Sequence, residues 1–139
     1  MGKNPAENDF EPANFSPGFL DHGGPYYLSV GEEAVPRTIG LRILPHHINY
    51  QNVAHGGVLT TLADVALSHA VYNALRPHPN VATISLNTNF LRAVKLDDWL
   101  ECDVTLERLG GRTAYTSGRI RRGQEVVATM SGVFSLQRN

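Results

Sequence analysis

The chain has 139 residues, a formal net charge of −1 and 18% charged residues. That length suits one domain with a sizeable core, and so mild a charge argues against a nucleic-acid or membrane-surface binder. Cys102 is the only cysteine, which excludes an intrachain disulfide and a cysteine zinc cluster.

No apolar run approaches the roughly 18 residues of a membrane span. The first residues, Met-Gly-Lys-Asn-Pro-Ala-Glu-Asn-Asp, lack the apolar core of a signal peptide. A cytoplasmic protein is the expectation.

Residues 1–25 contain Pro5, Pro12, Pro17 and Pro25. They read as an extended or short-turn N-terminal arm, with Phe10, Phe15, Phe19 and Leu20 as candidate anchors on a single domain at 26–139. A strand pair is expected at Tyr26–Val30 and Arg37–Leu44, where polar and apolar residues alternate. His46 and His47 follow at the strand's end and should point to opposite sides. No metal site is expected from them.

The segment from Gly56 to about Leu75 is the one long helix. Apolar residues cover most of its circumference, so it should be buried. Gly57, Thr61, Asp64 and Ser68 recur at three- and four-residue spacing as a narrow polar stripe. Pro77 and Pro79 stop the helix. Four strands should follow, at Val81–Leu91, Trp99–Leu109, Thr113–Arg122 and Glu125–Leu136, with turns at Gly110-Gly111 and Arg122-Gly123-Gln124. The sum is an α+β domain, a five- to six-stranded antiparallel sheet wrapped around one central helix.

The chemistry concentrates where His55-Gly56-Gly57 opens that helix. Glycines let a ligand approach the backbone. The first N–H groups of a helix have no partner within it and carry partial positive charge, which suits a developing oxyanion. Asp64 sits among Leu62, Ala63, Val65 and Ala66, company in which a carboxylate needs a partner or a task. Taken alone, Asp64 reads as a structural acid paired with a nearby Thr or Ser. Asn49 reads alone as a loop residue, and His55 as a helix cap.

Eight residues of helix span about 12 Å, whereas groups acting on one carbonyl must converge to about 3 Å. Gly56 and Asp64 of one helix therefore cannot serve the same carbonyl. A second, antiparallel copy can supply the missing group, which implies a composite site in a two-fold dimer.

Asn49, His55, Gly56, Gly57 and Asp64 together resemble the hotdog-fold acyl-CoA thioesterases of the PaaI-like, phenylacetate-degradation type. The family pattern is Asn-x-x-Gly-x-x-His-Gly-Gly followed by an acid. Asn52 stands where the family has glycine, and Asn tolerates a left-handed backbone best among the other residues. The resemblance extends through Thr83, Asn87, Phe90-Leu91-Arg92, Gly111-Arg112 and Val127-Ala128.

It implies hydrolysis of an acyl- or aryl-acyl-CoA. Gly56 would donate its N–H to the carbonyl oxygen, and Asp64 of the partner subunit would be base or nucleophile. His55 and Asn49 would lie near the carbonyl, and Thr83 would support the acid. Gly57, Thr61, Ser68, Arg92 and Arg112 would contact substrate. Coenzyme A is then part of the substrate, with no separate cofactor and no metal. The assembly would be a homodimer or a dimer of dimers.

Arg92, Lys95, Arg112, Arg119, Arg121 and Arg122 are candidates for the phosphates. Trp99, Phe90 and Phe134 belong to core or interface on this reading, and Leu59 and Leu62 line the acyl pocket. A non-catalytic acyl-CoA binding module is the alternative. A hotdog hydratase or dehydratase fits less well, because the acid lies mid-helix, nine residues past His55.

Overall fold

The computed structural model describes residues 9–15, 17–31 and 38–137. In chain order the elements are β1 (Phe10–Pro12), α1 (Leu20–Gly23), β2 (Tyr26–Ser29), β3 (Ile39–Arg42), α2 (Gly56–Ala74), β4 (Asn80–Phe90), β5 (Trp99–Leu109), β6 (Thr113–Arg122) and β7 (Glu125–Gln137). One antiparallel sheet runs in the order β1-β2-β3-β5-β6-β7-β4. It has seven strands rather than five or six, because Phe10–Pro12 pairs with Tyr27–Ser29. No helix among the described residues is long and apolar enough to cross a membrane.

Burial of α2 organises the domain. Leu59, Leu62, Ala63, Val65, Ala66, Leu67 and Val71 are buried, against Leu100, Ile120, Val127, Ala128 and Phe134 of the sheet. Each of the larger of these side chains, the Leu, Val, Ile and Phe, contributes roughly 1.5–3 kcal/mol of transfer free energy. Leu59 and Leu62 are 3% and 0% exposed within this one chain. They are core residues and cannot line a pocket between paired helices, which corrects the reading above.

Of the N-terminal segment, Phe10–Pro12 joins the sheet through β2. Phe10 packs edge-on against Trp99 at 5.1 Å, and Phe15 lies against Tyr26 and His69. Phe19, 72% exposed, is no anchor. Residues 1–8, Ser16 and 32–37, including the expected strand start at Arg37, lie outside the described residues.

His46 and His47 differ from expectation. Pro45–His47 is a single 3-10 turn, and the two rings lie side by side with centroids 4.0 Å apart. They reach the same segment. His46 Nε2 donates to the Gly24 carbonyl at 2.7 Å, and His47 Nε2 to that of Gly23 at 2.6 Å. The tight turn cancels the alternation an extended strand would give. His47 Nδ1 accepts from the Leu44 N–H at 2.9 Å, so the neutral ring carries its proton on Nε2. The pair fastens the end of α1 to the turn.

Burial pushes the His47 pKa below its ordinary 6.5. As pH falls, the unfolded chain takes up this proton first. The stability contributed by the neutral ring is present above 6.5 and is lost as the pH drops from there toward the lower folded value. Melting temperature should therefore fall between about pH 7.5 and pH 5.5. The fall should be shallower in His47→Gln, which has no such group, and thermal melts of both proteins at the two pH values check this.

Candidate active site

The loop before α2 is closed by its own hydrogen bonds. Asn49 Oδ1 accepts from the N–H groups of Gln51 (2.9 Å) and Val53 (3.3 Å). The backbone of Asn49 binds Val53 and Asn52 in the same turn. Asn52 adopts φ +63°, a left-handed conformation that Asn tolerates where glycine is usual. Ala54 donates to Val94 and His55 to His47, which fixes the chain's entry into the helix. The side-chain oxygen of Asn49 is thus spent on shaping the loop.

His55 caps α2. Its backbone is extended (φ −61°, ψ 139°), and its Nδ1 accepts from the Gly57 N–H at 2.8 Å. The neutral ring must then hold its proton on Nε2, which is left as a donor. The carbonyl of His55 accepts from Val58 and Leu59.

Of the four N–H groups that a helix start leaves open, three are now satisfied. The Gly56 N–H alone has no hydrogen-bond partner among the described residues. Nor does the chain itself demand a glycine there. A Cβ on Gly56 would meet only Phe90, at ordinary contact distances of 3.5 and 3.7 Å. One on Gly57 would press on His55 Nδ1 at 3.0 Å.

Asp64 faces β4 from the half-buried stripe of α2. Thr83 Oγ1 donates to its Oδ1 at 2.6 Å. Its Oδ2 has no hydrogen-bond partner among the described residues, so one carboxylate oxygen is oriented and the other is available. Thr61 Oγ1 and Ser68 Oγ donate back to the carbonyls of Gly57 (2.7 Å) and Asp64 (2.6 Å), which leaves their lone pairs but not their protons for a ligand.

The structure therefore brings together Asp64 with Thr83, and His55 with Gly56 and Gly57. It does not bring the two groups together within one chain, because eight residues of helix separate them. Among the described residues, no cluster of three His, Cys, Asp or Glu side chains could hold a metal.

The basic candidates divide sharply. Arg121 is held by Asp103 at 2.5 Å, and Arg119 shares that carboxylate at 3.6 Å. Both come from one face of β6, as strand alternation requires. Arg122, on the other face, binds Asp98 and Glu125 and draws Glu125 below the usual carboxylate range. Arg92 also pairs with Glu125, at 3.3 Å. The Lys95 and Arg112 side chains have no such partner among the described residues.

Trp99 and Phe134 lie in the core, but Phe90 is 51% exposed beside Gly56. Residue spacing gave no signal for this contact, which depends on how β4 crosses the helix.

One long buried helix wrapped by an antiparallel sheet, with a capped glycine start and a mid-helix acid, defines a hotdog thioesterase architecture. The profile of the thioesterase superfamily matches residues 51–129, more than half of the chain, and the chain belongs to that superfamily. It is 36% identical over 127 residues to a Pseudomonas aeruginosa protein provisionally named esterase PA0474, covering 91% of this chain and 94% of that protein.

Among solved structures, the Bacillus halodurans protein BH2602, crystallised with CoA, superposes with a TM-score of 0.70. Its identity is 26%, covering 78% of this chain and 72% of that one. The Escherichia coli PaaI protein of the phenylacetic acid degradation operon superposes with a TM-score of 0.68 at 21% identity, covering 74% and 73% of the two chains. That likeness is one of fold, and it accords with the PaaI-like resemblance of the sequence.

Replacing His55 by Ala removes the acceptor for the Gly57 N–H. The loss should cost about 1 kcal/mol, a fall of a few degrees in melting temperature for a domain of this size, read by thermal denaturation.

Proposed function

We propose that the protein is an acyl-CoA thioesterase whose site is completed across a homodimer. The observation that carries this reading is the single unspent N–H at Gly56, set at the N-terminus of α2 while every neighbouring amide is satisfied. Such a donor, in the field of the helix terminus, suits a carbonyl oxygen that gains negative charge. Membership of the thioesterase superfamily and the CoA bound to BH2602 support the choice of a thioester.

In the proposed mechanism the Gly56 N–H donates to the thioester carbonyl. Asp64 of the partner subunit, held through one oxygen by its Thr83, uses the other. It takes a proton from water as the water oxygen attacks the carbonyl carbon. The tetrahedral intermediate collapses, the C–S bond breaks, and the thiolate leaves and takes up a proton. Direct attack by the carboxylate, followed by hydrolysis of the anhydride, uses the same groups. Both routes require ionised Asp64.

The oxyanion donor supplies about 3–4 kcal/mol and acid–base assistance about 10²–10⁴-fold. The outward Nε2–H of His55 orients the carbonyl or meets the leaving thiolate. Of the candidate cations, Arg112 and Lys95 have no acid partner among the described residues and are placed to meet the phosphates of coenzyme A; Arg92, Arg119, Arg121 and Arg122 contribute less because acids already hold them.

The dimer reading has its own support. β4 ends the sheet, so among the described residues the eleven-residue strand has one edge without a partner strand. Ile84, near its middle, is 58% exposed. An unpaired strand edge is a ready surface for another strand.

Asp64→Asn should abolish release of free thiol from acyl-CoAs while melting temperature and assembly stay unchanged. Thr83→Val, which leaves the carboxylate without its donor, should lower kcat about tenfold. Gly56→Val and Asp64→Asn should each be inactive alone, yet a mixture of the two should recover part of the activity. A confirmed heterodimer with no activity would rule out the composite site. Tight acyl-CoA binding without turnover by the wild type would favour a binding module instead.

A further inference from the structure

Phe90 is the last residue of β4. Its ring edge lies 3.5 Å from the position of a Cβ on Gly56, yet half its surface stays open. On the same strand Thr83 reaches Asp64. Phe90 has no place in the hydrogen-bonded machinery and does not belong to the hydrophobic core cluster. An aromatic side chain left half open beside an unspent donor has the character of a ligand-site wall, where apolar surface surrounds a few placed polar groups.

Geometry narrows what this wall meets. A carbonyl oxygen accepting from the Gly56 N–H stands about 2.9 Å from that nitrogen. The carbonyl carbon and its first substituent then fall within a few ångströms of the glycine, in reach of a ring already against it. The thiol side of the substrate is the same for every acyl-CoA, whereas the acyl side varies.

Building on the thioesterase reading, we infer that Phe90 is a specificity-determining residue: its ring packs against the acyl group and limits bulk at the carbon next to the thioester carbonyl. A straight-chain acyl group lies flat along the ring. A branched or aryl group at that carbon competes with it for space.

The test compares butyryl-, isobutyryl-, pivaloyl- and benzoyl-CoA as substrates of the wild type, Phe90→Ala and Phe90→Tyr. In Phe90→Ala, kcat/KM for butyryl-CoA should fall about tenfold relative to the bulkier substrates, mainly through KM. Phe90→Tyr should keep the wild-type order. Loss by one common factor across the panel, or no change, would overturn the inference. Melting temperature and assembly size of each variant exclude a folding effect.

If the wild type hydrolyses none of the panel, the thioesterase reading fails by itself. Phe90 is then read through the Kd of non-hydrolysable thioether analogues carrying the same acyl groups. The same change of order is expected there, and equal changes for all analogues would overturn it.

Discussion

The domain depends on one constraint: a nineteen-residue helix that is apolar around most of its circumference must be enclosed. The curved sheet does this, and the site's layout follows. With α2 fixed by seven buried side chains, its narrow polar stripe and its two end turns escape the core. The stripe meets β4, where Thr83 binds Asp64. The first turn emerges at the far end of the same strand, beside Phe90. One core element and one strand thereby position Gly56, Asp64, Thr83 and Phe90.

That loop has a different task. It brings in the cap, and the cap decides which helix amide is left over. His55 takes the Gly57 N–H on its ring and those of Val58 and Leu59 on its carbonyl. The remaining donor is not an accident of fraying. It is the residue of an otherwise complete set of bonds, held by Ala54 on Val94 and by His55 on His47. The His47 ring in turn ties the same turn to the end of α1. A buried histidine remote from the chemistry therefore shares a backbone contact with the capping residue.

Much of this was legible in the sequence because periodicity is local. The helix and the four long strands β4–β7 declare themselves by apolar spacing and by flanking Gly and Pro, and Asn52 carries the left-handed turn its residue type allows. β1 was not legible. Phe-Glu-Pro is too short to alternate, and its proline signals a loop. The histidine pair was misjudged because one 3-10 turn rotates consecutive side chains to the same side, against the extended geometry assumed for them. Leu59 and Leu62 were placed in a pocket because they share the helix with Asp64, but helical spacing cannot say which neighbours a sheet will cover. Phe90 reads from the sequence as a core or interface residue, and its place beside Gly56 is not legible because that neighbour is remote in sequence and is met only after β4 has folded across α2.

The separation of Gly56 from Asp64 finally bears on why β4 is an edge. A two-fold axis makes any pairing of this strand with its own copy antiparallel. It would carry the two α2 helices with it as antiparallel neighbours. In the proposed dimer, the Asp64 of one helix would then approach the Gly56 of the other, which a lone helix forbids by its rise of about 12 Å over eight residues. The same strand would bring Thr83 with the acid and Phe90 with the amide. Pairing at one edge would set both halves of the site together, so assembly and catalysis would rest on a single strand rather than on two independent surfaces.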